Sequence, residues 1–90
     1  MIKVKFSTEV EEYLRKIKRK DRKLLLKIDK QLAIFSENPK HPSLRKHKLS
    51  GSMKNMWSIS ITMSIRMIYL KIDENTFVFI KIGTHEEVYN

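Results

Sequence analysis

The tightest constraint on the fold lies towards the C-terminus, where residues 65–72 and 76–82 are apolar at nearly every position and are separated by Asp73, Glu74 and Asn75. A strand with one wet face alternates apolar and polar residues, whereas a strand covered on both sides reads as an almost unbroken apolar run. The three polar residues between the runs make a turn. The pair is therefore expected to form a hairpin packed on both faces, and the rest of the chain has to supply the covering layers.

Trp57, Ile59, Ile61 and Met63 alternate with Ser58, Ser60 and Thr62, which predicts a strand over residues 57–63 and a three-strand meander with the hairpin. At the other end of the chain Ile2, Val4 and Phe6 alternate with Lys3 and Lys5, a first strand with one buried face. Two helices follow. Ser7 or Thr8 can cap the first, with Thr8 and Glu11 spaced as a capping box, and Val10, Tyr13, Leu14 and Ile17 recur at helical spacing. Asp21 caps the second, whose apolar stripe is Leu25, Ile28, Leu32 and Phe35 and which ends at Asn38, before Pro39. From residue 39 to about 55 no period persists, and an irregular stretch of that length in a small domain reads as a functional loop. The expectation is a single α+β domain over residues 1–90, ordered β-α-α-β-β-β with a short C-terminal segment. Its helical hairpin packs on an antiparallel or mixed sheet.

Composition narrows the function. With no cysteine there is no disulfide framework or thiolate zinc site, which fits a reducing compartment. The longest apolar runs, residues 67–70 and 77–80, fall far short of the roughly 18 residues of a membrane span. The alternating N-terminus lacks a signal peptide's apolar stretch, so a cytoplasmic protein without membrane attachment is expected. The net charge of +9 arises entirely in the first half: residues 1–50 carry 15 Lys+Arg against 6 Asp+Glu, residues 51–90 carry 4 against 4. Such a field steers association with polyanions or an acidic protein. About half of the cations between Arg15 and Lys23 are expected on solvated helix faces, the others against a partner.

His41, His47 and His85 have no metal-binding spacing, so no metal site is expected. Each imidazole alone is readable as a solvated loop residue or as a proton-transfer group. His85 and Tyr89 follow Gly83, where the last strand is expected to break. Arg66 shares a strand face with Ile68, Leu70 and Ile72, which leaves two readings: an ion pair with Glu86 or Glu87, or a phosphate clamp. Trp57, Tyr13 and Tyr69 read as core residues.

These segments together resemble the RelE/ParE superfamily of bacterial toxin-antitoxin toxins, especially the RelE/YafQ-like mRNA interferases. The resemblance rests on Asn38 and Pro39 with His41 and Pro42, on residues 47–51, on Trp57, Ser58 and Ile59, on residues 65–69, and on residues 82–85 continued by Val88 and Tyr89. It implies the RelE-like fold and a type II toxin that cuts translated mRNA in the A site of the 70S ribosome. Cutting then needs no metal or other cofactor, because a ribose 2′-hydroxyl attacks the adjacent phosphate, and a cognate acidic antitoxin holds the toxin in check. By position, the resemblance makes His85 the general acid, His47 a candidate base, Arg66 the phosphate brace and Tyr89 the substrate-placing aromatic. Arg45, Lys46, Lys48 and Lys54 would hold the RNA. YafQ-like proteins tend to carry a further His and Asp on the segment that Ser60 and Ser64 occupy here, which leaves Lys48 as an alternative base if its pKa were lowered. Because ParE-like gyrase-binding toxins share the fold, a non-catalytic inhibitor and a degenerate toxin kept as a binding module remain alternative readings.

Overall fold

The computed structural model describes residues 2–53 and 55–89. Its elements are β1 (Lys3–Phe6), α1 (Thr8–Lys20), α2 (Arg22–Glu37), β2 (His47–Lys48), β3 (Met56–Ser60), β4 (Ile65–Asp73), β5 (Thr76–Thr84) and α3 (His85–Tyr89), with 3-10 turns at Pro42–Leu44 and Gly51–Met53. The strands form one sheet in the order β1-β5-β4-β3-β2. β1 runs parallel to β5 and every other neighbouring pair is antiparallel. The mixed sheet and helical hairpin of the sequence reading are therefore present.

Local chemistry explains the helix ends. Ser7 is the N-cap of α1: its Oγ accepts from the Val10 amide at 3.2 Å and donates to the Ile80 carbonyl at 3.1 Å, tying the β1-α1 corner to β5. The expected capping box of Thr8 and Glu11 does not form, because the helix begins one residue earlier in register, with Ser7 at the cap. Asp21 caps α2 through the Leu24 amide at 3.0 Å, and Asn38 closes the helix before Pro39.

Phe35 fixes α2 to the sheet. Its ring meets Tyr69, Phe77 and Phe79 edge-on, with centroids 5.0, 5.1 and 5.2 Å away, geometry that adds about 0.5–1.5 kcal/mol per pair beyond area burial. Ile28, Val10, Ile59 and Met67 complete this core, with Tyr13 packed at its edge. Leu25 of the expected stripe stays outside it, whereas Gln31, a turn before Phe35, is buried. Gln31 donates from Nε2 to the Ser60 carbonyl at 2.8 Å and to the Ser43 carbonyl at 3.2 Å. A second, smaller core of Leu49, Ile68 and Val88 lies on the opposite sheet face under α3. Both faces of the β4-β5 hairpin are thus covered, as its apolar runs require.

Four further expectations are corrected. The described part of the stretch from residue 39 to 55 is structured: it holds two 3-10 turns and β2, whose two pairs, His47 with Ser58 and Lys48 with Trp57, are too few to leave a period. The strand expected over residues 57–63 stops at Ser60, because the Thr62 Oγ1 accepts from the Ser64 and Ile65 amides at 3.2 and 3.0 Å and turns the chain. Met63, placed on the buried face by alternation, is 98% exposed. Finally, β5 continues through Gly83 to Thr84, and the C-terminal segment is a helix.

Phe35→Ala should cost about 3–5 kcal/mol, the range for emptying a buried aromatic site. Urea unfolding followed by far-UV circular dichroism measures it, and a loss below about 1 kcal/mol would mean that α2 is held elsewhere.

Candidate active site

The alternation of the central strands sorts the side chains by face. Trp57, Ile59, Met67 and Tyr69 point towards the helices, so Ser58, Ser60, Arg66 and Ile68 point to the other side. In β2 the same rule separates neighbours. His47 pairs with Ser58 and Lys48 with Trp57, which sets the imidazole on the outer face and the ammonium on the helix face. The Lys48 Nζ accordingly lies 5.9 Å from the centre of the Trp57 ring, with the Lys46 Nζ at 5.5 Å.

On the outer face Arg45, Lys46, His47, Arg66, His85 and Tyr89 line one open cleft of about 390 Å³. His47, His85 and Tyr89 also line a neighbouring cleft of about 460 Å³ with Leu49, Ser50, Gly51 and Met53. No carboxylate lines either cleft among the described residues, and Arg45, Lys46 and Arg66 make the first of them cationic. The Arg66 Nη1 donates to the Ser60 Oγ at 3.3 Å across β3 and β4, which orients the guanidinium. The ion pair with Glu86 or Glu87 is not formed.

Glu87 serves α3 instead. Its Oε1 accepts from the Thr84 amide at 2.8 Å while the Glu87 amide donates to the Thr84 Oγ1 at 3.3 Å, a reciprocal capping box that starts the helix at His85. A side chain at Gly83 would place a Cβ 2.8 Å from that Oε1, so glycine leaves room for the cap. One helical turn on, Tyr89 packs against His85 with ring centroids 4.3 Å apart. The spacing of Thr84 and Glu87 was the available sequence signal for this helix, and the sequence reading passed over it.

Arg45 follows the Pro42–Leu44 turn in the left-handed region, with φ of 48°, and there the chain turns into β2. Such a conformation disfavours a branched L side chain. Among the lysines, Lys46 borders the cleft while its ammonium, like that of Lys48, lies towards Trp57 on the helix side, Lys48 does not line the cleft, and Lys54 lies outside the described residues. The Lys46 ammonium is pushed below its ordinary pKa by burial first, then by Lys40 and Lys71. Ser60 and Ser64 do not join the histidines; Ser60 supports Arg66 and Ser64 belongs to the Thr62 turn. His41 is structural, its Nδ1 accepting from the Ser43 amide at 3.1 Å. Ser58, opposite His47, is buried with its Oγ unpaired. Among the described residues, no three or more His, Asp or Glu side chains are grouped to hold a metal ion.

Residues 2–90 match the sequence profile of a family described as the bacterial toxin of a type II toxin-antitoxin system, YafQ. The chain belongs to the YafQ toxin family. No curated protein gives a significant match. Solved structures share the fold of this YafQ-family chain at low identity. A YoeB/ParE toxin from Agrobacterium tumefaciens superimposes with a TM-score of 0.81 at 20% identity, covering 93% of this chain and 99% of its own. YafQ from E. coli gives 0.80 at 17% identity over the whole of both chains. A YoeB-YefM complex from Staphylococcus aureus gives 0.78 at 20% identity, covering 94% and 98%.

Two substitutions probe the construction of the site. Glu87→Ala should speed amide exchange across residues 85–89 by about fivefold, the loss of one cap, and Glu87→Gln, which keeps the acceptor, should restore protection. Equal exchange in all three proteins would separate α3 from its cap. Arg45→Gly should leave unfolding stability unchanged or up to about 1 kcal/mol higher, since glycine takes the left-handed conformation freely. A clear drop in the urea midpoint would mean that the Arg45 side chain supports the fold.

Proposed function

We propose that this YafQ-family toxin is a ribosome-dependent endoribonuclease that cuts translated mRNA by metal-independent transesterification. The observation that carries the reading is the convergence of two imidazoles and a guanidinium, His47, His85 and Arg66, on a cleft that no carboxylate of the described residues lines. Acid-base cleavage of RNA needs a base for the 2′-hydroxyl, an acid for the leaving 5′-oxygen and fixed positive charge beside the phosphorane. His47 takes the 2′ proton as the oxygen attacks phosphorus. His85 gives a proton to the departing 5′-oxygen, leaving a 2′,3′-cyclic phosphate on one fragment and a 5′-hydroxyl on the other. His47 is preferred to Lys48 as the base because it shares the cleft with His85 while Lys48 faces the helix side.

Arg66, oriented by Ser60, turns its remaining N–H groups to the phosphate, where a guanidinium matches the paired oxygens. Tyr89 places the substrate beside His85, and Arg45 and Lys46 hold the RNA backbone as it enters the cleft. Lys48 and Lys54, the other lysines expected at the RNA, have no assigned role in this cleft. The mRNA in the A site of the 70S ribosome is the substrate, which places the protein in the cytoplasm. A cognate acidic antitoxin is the second partner, supported by family membership and by the YoeB-YefM complex of Staphylococcus aureus. No helix among the described residues is long and apolar enough to cross a membrane.

The test is 5′-end mapping of a translated message in a reconstituted system, with and without ribosomes. Cuts should require ribosomes, fall by about 10²–10⁴-fold in His85→Ala and His47→Ala, and fall by about 10²–10³-fold in Arg66→Ala. Message that stays intact at concentrations of the wild-type protein that stop translation would overturn the reading.

A further inference from the structure

A second cleft lies on the helix side of the sheet, beneath the end of α2, with a volume of about 320 Å³. The accessible aromatic part of its floor is the half-buried Trp57, backed by the buried Tyr69, which stacks on it at 5.9 Å with the planes 19° apart, and by Phe77 beside Tyr69 at 5.7 Å. Its rim is cationic, with Lys40, Lys46 and Lys71. One carboxylate, Glu74, stands at the rim, 3.9 Å from the Lys71 Nζ. Burial and the mutual repulsion of Lys46 with Lys40 and Lys71 push the Lys46 ammonium down, so an arriving anion relieves an unfavourable arrangement already present. Lys46 also lines the outer cleft with His47 and His85, so the two cavities meet at this residue.

We infer that this cleft is a nucleotide subsite, taking a nucleobase against the half-buried Trp57 and its phosphate between Lys40, Lys46 and Lys71. The inference rests on the reading of the chain as an RNA-cutting toxin and extends it to a nucleotide flanking the scissile phosphate. An aromatic floor binds any base through its π face, and lysines hold a phosphate as point charges. A bare anion would leave the aromatic floor unused, and an acidic peptide would engage only the rim. The volume is near the lower end for a small-molecule site and suits one nucleotide.

Trp57 is the chain's one tryptophan, so its fluorescence reports occupancy of this cleft directly. The experiment titrates the full chain carrying His85→Gln, without ribosomes, with adenosine monophosphate, adenosine, inorganic phosphate and an oligoglutamate peptide. The mononucleotide should give a saturable change, at least about tenfold tighter than adenosine or phosphate alone. Lys40→Gln, which lies outside the outer cleft, should weaken it by about fivefold with the circular dichroism spectrum unchanged. No saturable change up to about 10 mM nucleotide overturns the inference, as does an equal response to phosphate, a response to the peptide alone, or a Lys40→Gln protein that binds as tightly as its parent. Because nothing is cleaved in this assay, loss of the subsite and loss of the nuclease reading are separate results.

Discussion

The site depends on one aromatic contact made on the far side of the sheet. Phe35, wedged edge-on among Tyr69, Phe77 and Phe79, sets the depth and rotation of α2. One turn earlier on the same helix, Gln31 reaches two backbone carbonyls, those of Ser43 and Ser60. The first belongs to the turn that delivers Arg45, and the second closes β3 beside the hydroxyl that orients Arg66. A hydrophobic anchor is thereby converted, through a single buried amide, into the placement of two guanidinium groups. Close packing transmits such placement because a filled interior has few alternative arrangements.

The sheet also separates two kinds of surface. On the helix side Lys46 and Lys48 lie over the Trp57 ring, where the ring face and their own apolar stems shelter them. On the outer side the charges surround a cleft on the same sheet face as the small core of Leu49, Ile68 and Val88, and among the described residues no acidic side chain lines it. That arrangement works against folding by self-repulsion and favours the approach of a polyanion. Residues 1–50 supply most of this charge, while the second half supplies the strand that carries Arg66 and the short helix that carries His85.

Much of this was legible in the chain. Asp21 as a cap, Asn38 before Pro39 as a stop and the unbroken apolar runs of the hairpin each act through local chemistry, and each reads correctly. The misses came where a side chain overrode a pattern or an element was too short to show one. Alternation carried the third strand on to Met63, but the Thr62 hydroxyl ends it by capturing two amides. Gln31 is polar and so dropped out of an apolar stripe, although its position on the buried face is what makes it useful. The four residues from Thr84 to Glu87 hold a complete helix-start signal, masked by Gly83, which by itself reads as the end of a strand. The grouping of His47, Arg66, His85 and Tyr89 was suggested by family likeness rather than by spacing, since they lie on three segments whose proximity only the sheet order establishes.

Loops ordinarily tolerate changes of length, since each added residue costs little closure entropy. The segment between Leu44 and His47 is an exception. It feeds a strand held by two pairs, and successive residues of that strand face opposite sides of the sheet. One residue added or removed there would exchange an imidazole for an ammonium in the cleft while leaving both cores and the topology as they are. The length of this short connection is therefore itself part of the chemistry: a frame in which a single step leaves the fold in place and silences the site.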